Sequence, residues 1–147
     1  MTPVHGRLTS PRHPAAMGRL LPSALLLACL AALPALAAPE PVAQVVDGDT
    51  VRLRDGESVR LAGLDAPELR ARCPAELRRA RQATARLEQL ATGGLELRRR
   101  GRDRYGRTLA VATAPDGQDV AAVLIGEGLA VPYQGRGPRA DWCRPGL

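Results

Sequence analysis

Three short clusters in this 147-residue chain bring together residue types that do chemistry. Asp47-Gly48-Asp49-Thr50 places two carboxylates around a glycine. Arg60-Leu61-Ala62-Gly63-Leu64-Asp65-Ala66-Pro67-Glu68 sets an arginine inside an alternating segment and ends on two carboxylates that flank a rigid proline. Arg98 to Arg107, RRRGRDRYGR, carries six arginines in ten residues. Each cluster has a plain structural reading: a hairpin turn, a capped loop with one surface arginine, and a solvated basic face.

Taken together they describe one reaction chemistry. Asp49 and Asp65 offer hard oxygen ligands for Ca²⁺, with a backbone carbonyl and waters to complete an irregular shell. A cation there relieves the repulsion among Asp47, Asp49, Asp65 and Glu68. Glu68, near the metal but not on it, can activate a water. Hydrolysis of a phosphodiester moves the phosphorus centre from one negative charge toward two. Guanidinium forks aimed at its oxygens stabilise that change, and Arg60 and Arg107 are the candidates. The arginines of the third cluster repel one another unless a polyanion neutralises them.

Composition narrows the alternatives. The formal charge is +6, and all 21 basic residues are Arg. There is no Phe, so the core must be Leu, Val, Ala and Ile. The apolar run Leu20–Leu36 follows Arg7, Arg12 and Arg19 and ends in Ala35-Leu36-Ala37, a small-x-small signal. Residues 1–37 are therefore expected to be a signal peptide cleaved after Ala37, with Met17 as an alternative start. A retained membrane anchor is the competing reading, since the run approaches spanning length. Leu26-Leu27-Ala28-Cys29 is a poor lipid-attachment box, because apolar sequence continues past the cysteine. The product would be secreted or periplasmic.

Removing the leader takes away His5, His13 and Cys29, leaves Ser58 as the one serine, and reduces the charge to +3. That excludes Ser-His and Cys-His nucleophiles, Lys Schiff bases and His/Cys zinc sites. Cys73 and Cys143 remain. Two cysteines in an exported chain suggest one disulfide; two unpaired thiols are the alternative.

The elements that must position these residues are short. Residues 38–41 form a tail, 42–143 the folded domain and 144–147 a second tail. Val42–Val46, Thr50–Leu53 and Ser58–Leu64 read as three strands joined by the Asp47-Gly48 and Asp55-Gly56 turns. Leu77, Ala80, Thr84, Leu87 and Ala91 follow helical spacing, so Pro74–Ala91 is expected to be an amphipathic helix. Leu95–Leu97 and Thr108–Thr113 complete five strands, and Asp119 caps a short helix through Glu127. The segment from Tyr133 to the end, rich in Gly, Pro and Arg, is expected to be irregular. The fold class is α+β, mainly β: a five-stranded OB-fold barrel with two helices.

The order DGDT, VRLAGLDAPE, helix, DRYGR closely resembles the staphylococcal nuclease (thermonuclease-like) family over roughly Val42–Trp142. The resemblance implies Ca²⁺-dependent hydrolysis of DNA and RNA, leaving 3′-phosphates, with single strands preferred and no protein partner for a monomer. By position it makes Asp49, Asp65 and the Ala66 carbonyl the calcium ligands. Arg60, Glu68 and Arg107 match the catalytic arginines and the general base, and Arg104, Tyr105 and Tyr133 match substrate contacts. The ending AVPYQGRGPRADWC resembles the shorter exported members, which implies a Cys73–Cys143 pair. The chain departs from the staphylococcal type in lacking a long final helix and in keeping one tyrosine, Tyr133, where a pair stacks on the base. A binding-only barrel that grips nucleic acid or a protein is the alternative function.

Overall fold

The computed structural model describes residues 38–144. The expected leader with its cleavage site, Met17 and Cys29, and residues 145–147, lie outside the described residues.

Strand β1 (Val42–Asp47) pairs antiparallel with β2 (Thr50–Leu53), and β2 with β3 (Ser58–Leu61), which is the expected meander. The segment read as one strand from Ser58 to Leu64 is broken. Gly63 adopts φ +91, a conformation that L side chains rarely take. The chain turns there into a separate strand, β4 (Gly63–Asp65). Its partner is β7 (Val131–Tyr133), a strand not expected from the sequence, which ends on Tyr133, the first residue of the segment expected to be irregular. This small second sheet carries Asp65.

Helix α1 (Pro74–Leu90) starts with Pro74 in its first turn, and the Cys73 sulfur caps the Glu76 N–H. Its buried face is Ala80, Ala83, Leu87 and Leu90. The helix is therefore rotated slightly from the expected stripe, and Leu77 and Thr84 are only half-buried. The alanines explain the turn: they let the helix sit close to the β1–β2 turn. A Cβ on Gly48 would lie 2.7 Å from the Ala83 Cβ and 2.8 Å from the Ala66 Cβ. Only glycine permits that approach.

The fourth expected strand is longer than Leu95–Leu97. β5 (Glu96–Arg102) includes most of the arginine run and pairs antiparallel with β6 (Thr108–Thr113), with a register shift between Arg99 and Gly101. The run thus continues the strand past Leu97, as an edge strand and a tight hairpin. An edge strand tolerates such charge because its side chains stay in water. Arg99 is also matched by Glu40 and Glu57, each at 2.6 Å. Helix α2 (Val120–Gly126) is capped by Asp119, as expected.

The main sheet has the order β1-β2-β3-β6-β5, with β3 and β6 parallel. An isolated bridge, Glu40 to Leu95, links the chain before β1 to the chain before β5. The ladder does not continue beyond it. Among the described residues there are seven strands in two sheets, where a five-stranded OB-fold barrel was expected; the mainly-β, two-helix class stands. The core is Val51, Leu53, Val59, Leu61, Leu64, Leu87, Leu95, Val120 and Leu124, filled in by alanines. Fully burying each Leu or Val contributes about 1.5–3 kcal/mol. Cys73 and Cys143 are bonded, which ties the C-terminal arm to the start of α1.

Candidate active site

The tight β1–β2 turn delivers Asp49 to the end of β3 and β4. The Asp49 carbonyl accepts the Leu61 N–H at 2.7 Å, and its Oδ2 accepts the Ala66 N–H at 3.0 Å. Thr50 Oγ1 donates to Asp49 Oδ1 at 3.0 Å. Asp49 and Asp65 are both buried, 3% and 1% exposed, and both belong to this junction. Pro67 is also buried and fixes the strand exit, leaving Glu68 half-exposed at the rim.

Arg60 is buried in β3. Its guanidinium pairs directly with Asp49 through Nη1, and its Nη2 lies 3.7 Å from Asp65 Oδ1. Burial pulls its pKa down, and the neighbouring charges of Arg139 and Arg107 add to this. Asp47 stands one step back, its Oδ1 accepting the Asp49 N–H at 3.1 Å. Burial pushes its carboxyl up, against the Thr50 hydrogen bond and the nearby arginines.

The β5–β6 hairpin brings the basic side. Arg107 Nε donates to Asp103 Oδ2 at 2.7 Å, and its Nη1 reaches Thr50 Oγ1 at 3.4 Å. Burial works against the charge on Asp103, but hydrogen bonds from the Arg107 side chain and from the Arg107 and Tyr105 N–H groups hold its carboxyl below the usual range. Tyr105 is 72% exposed, with the Arg104 and Arg107 guanidiniums 5.1 and 5.6 Å from its ring centre. Tyr133 enters from β7, its hydroxyl donating to the Gly137 carbonyl at 3.3 Å. Arg60, Arg104, Tyr105, Arg107, Tyr133 and Arg139 line one open pocket of about 550 Å³. The sequence-predicted residues thus converge: the phosphate and base candidates line that pocket, and Asp65, Ala66 and Glu68 line a smaller one beside it.

Arg139 lines both pockets, and sequence reasoning missed it. Its Nε donates to Asp65 Oδ1 and its Nη1 to Glu68 Oε1, each at 2.6 Å. Its Nη2 lies 3.4 Å from the Ala66 carbonyl and 3.8 Å from Asp49 Oδ2. Burial works to lower its pKa, but the hydrogen bonds to Asp65 and Glu68 outweigh that and raise it. No spacing rule singles out one arginine in a Gly- and Pro-rich tail. The only signal was Cys143, whose pairing returns that tail to α1.

Asp49, Asp65 and the Ala66 carbonyl are a fit for Ca²⁺. All are oxygen donors, and this structure already seats a cationic group, the Arg139 guanidinium, against the same atoms. Cys73, Glu76 and Cys143 also lie close together, but the two sulfurs are bonded to each other, so they offer no thiolate ligands.

No curated protein matches the chain. Residues 58–142 match the family described as staphylococcal nuclease homologue. That span contains Arg60, Asp65, Ala66, Glu68, Arg107 and Arg139, and Asp49 lies just before it. Because the match takes in more than half of the sequence, the chain belongs to the staphylococcal nuclease homologue family.

Proposed function

We propose that this chain is an exported, Ca²⁺-dependent nuclease that hydrolyses DNA and RNA phosphodiesters with little sequence preference. The observation that carries this reading is the meeting of Asp49, Asp65 and the Ala66 carbonyl with Arg60 at one strand junction, with Glu68 at its rim.

Asp49, Asp65 and Ala66 would hold the calcium, which when bound supplies positive charge to the reacting phosphate and its water. Glu68 takes the proton of the attacking water. Arg60 and Arg107 face the pocket where the phosphate sits and stabilise the charge that develops on its oxygens. The bond from phosphorus to the 5′-oxygen breaks, the departing oxygen takes up a proton from solvent to become a 5′-hydroxyl, and the phosphate stays on the 3′ side. Arg104 and Tyr105 contact a neighbouring phosphate, and Tyr133 offers its ring face to an unpaired base, which favours single strands. The disulfide supports export, because such bonds persist in oxidising compartments.

One observation favours a second reading, a binding-only module: Arg139 occupies Glu68 and Asp65. Degradation of denatured DNA by the disulfide-bonded protein separates the two. Cutting in Ca²⁺ and none in chelator supports the nuclease; DNA binding without cutting in Ca²⁺ supports the module.

A further inference from the structure

Resting on the calcium reading above, we propose that Arg139 is a tethered competitor of the divalent cation, whose guanidinium must leave the carboxylates before calcium can bind. Arg139 thereby sets the calcium concentration at which the site fills.

The contacts are those of an occupant rather than a passer-by. One guanidinium touches Asp65, Glu68 and the Ala66 carbonyl, and lies 3.8 Å from Asp49. The next residue completes the coverage, since the Ala140 N–H donates to Asp65 Oδ2 at 3.0 Å. Both Asp65 oxygens are therefore engaged by consecutive residues of the arm.

The arm is anchored beyond that point. Asp141 pairs with Arg72 at 2.9 Å, Trp142 is 3% exposed, and Cys143 is bonded to Cys73. A cation held on such an arm competes as an intramolecular ligand, at an effective concentration far above that of a free guanidinium. The side chain itself is 44% exposed and borders the open pocket, so it can swing aside without moving the anchored backbone. Its exchange partner is favoured by chemistry. Guanidinium carries one delocalised, weakly hydrated charge, whereas calcium brings two charges and accepts permissive oxygen geometry. The displaced guanidinium would face the pocket that already holds Arg60, Arg104 and Arg107. A phosphate bound there gives it a replacement partner.

Calorimetric titration of Ca²⁺ into the disulfide-bonded chain tests this without reference to activity. The comparison is wild type, Arg139→Gln and Arg136→Gln. Arg136 lies on the same arm and is exposed, so it controls for the loss of one positive charge. We expect Arg139→Gln to bind calcium about tenfold more tightly or better, and Arg136→Gln to shift affinity by less than about threefold. Arg139→Lys keeps the charge but loses the planar fork, so its affinity falls between wild type and Arg139→Gln. It also serves as the test if the Gln variant fails to fold. Unchanged or weaker binding in the Arg139 variants, or equal tightening in Arg136→Gln, overturns the proposal alone. Absence of calcium binding in every protein overturns the calcium reading and the proposal with it.

Discussion

Arg107 Nη1 lies 3.4 Å from Thr50 Oγ1, and the same hydroxyl donates to Asp49 Oδ1 at 3.0 Å. Through one threonine the basic hairpin meets the acidic turn. The spacing between the residue that would receive phosphate charge and the residue that would hold the metal is thus set by β2 and the β5–β6 hairpin, not by flexible side chains.

Removing the chemical groups should leave that frame standing. Arg107→Gly deletes one donor to the developing charge and should lower kcat about 10²–10³-fold. Glu68→Gln keeps the shape and loses the base, at about 10²–10⁴-fold. Both side chains are partly exposed, so thermal unfolding should stay near wild type. Full activity in either variant, with normal unfolding, contradicts the assigned role.

Gly48→Ala should act on the site through packing. Its new methyl would collide with two alanine methyls that have no rotamer to move. Overpacking of this kind costs about 1–3 kcal/mol. Because one of the two belongs to Ala66, calcium affinity should fall along with the melting temperature. A variant as stable as wild type would show that α1 yields easily.

Glu57 carries a pH signature. Hydrogen bonds from Arg99 and Thr108, each 2.6 Å, hold its carboxyl below the usual 4.5. A depressed carboxyl contributes stability above its unfolded value, and that stability is lost as pH falls through the folded value. Glu57→Gln should therefore unfold more easily than wild type by about 0.5–1 kcal/mol at pH 7. The difference should shrink progressively as pH drops below 4.5. Parallel thermal scans across that range measure it; a constant gap would mean the effect is not ionic.

The Cys73–Cys143 bond spans a sequence separation of 70 residues. Replacing both cysteines with serine should cost up to about 4 kcal/mol in the chain-entropy account. It should also loosen the arm, which urea titration and protease cleavage after Arg139 would both report. Equal stability would mean that the buried Trp142 and the Asp141–Arg72 pair anchor the arm without the bond.

Much of the site was legible because its parts are local. Asp49, Asp65 and Glu68 sit at turns and strand ends, where short motifs dictate the backbone. Arg60 betrayed itself as a charge in an apolar strand. Ending the fourth strand at Leu97 failed because charge density says nothing about backbone pairing: β5 keeps its ladder with β6 while its side chains remain in water. The break at Gly63 was hidden by continued alternation from Ser58 to Leu64, and its cause, pairing with β7, lies far along the chain. Arg139 was invisible for the same reason, since its partner Asp65 is 74 residues away.

The central claim is tested most directly by incubating the disulfide-bonded protein with denatured DNA, with Ca²⁺ or with chelator. The account predicts progressive degradation in calcium, fragments ending in 3′-phosphates, and no cutting once calcium is removed. Folded protein that binds the DNA and leaves it intact in calcium would contradict it.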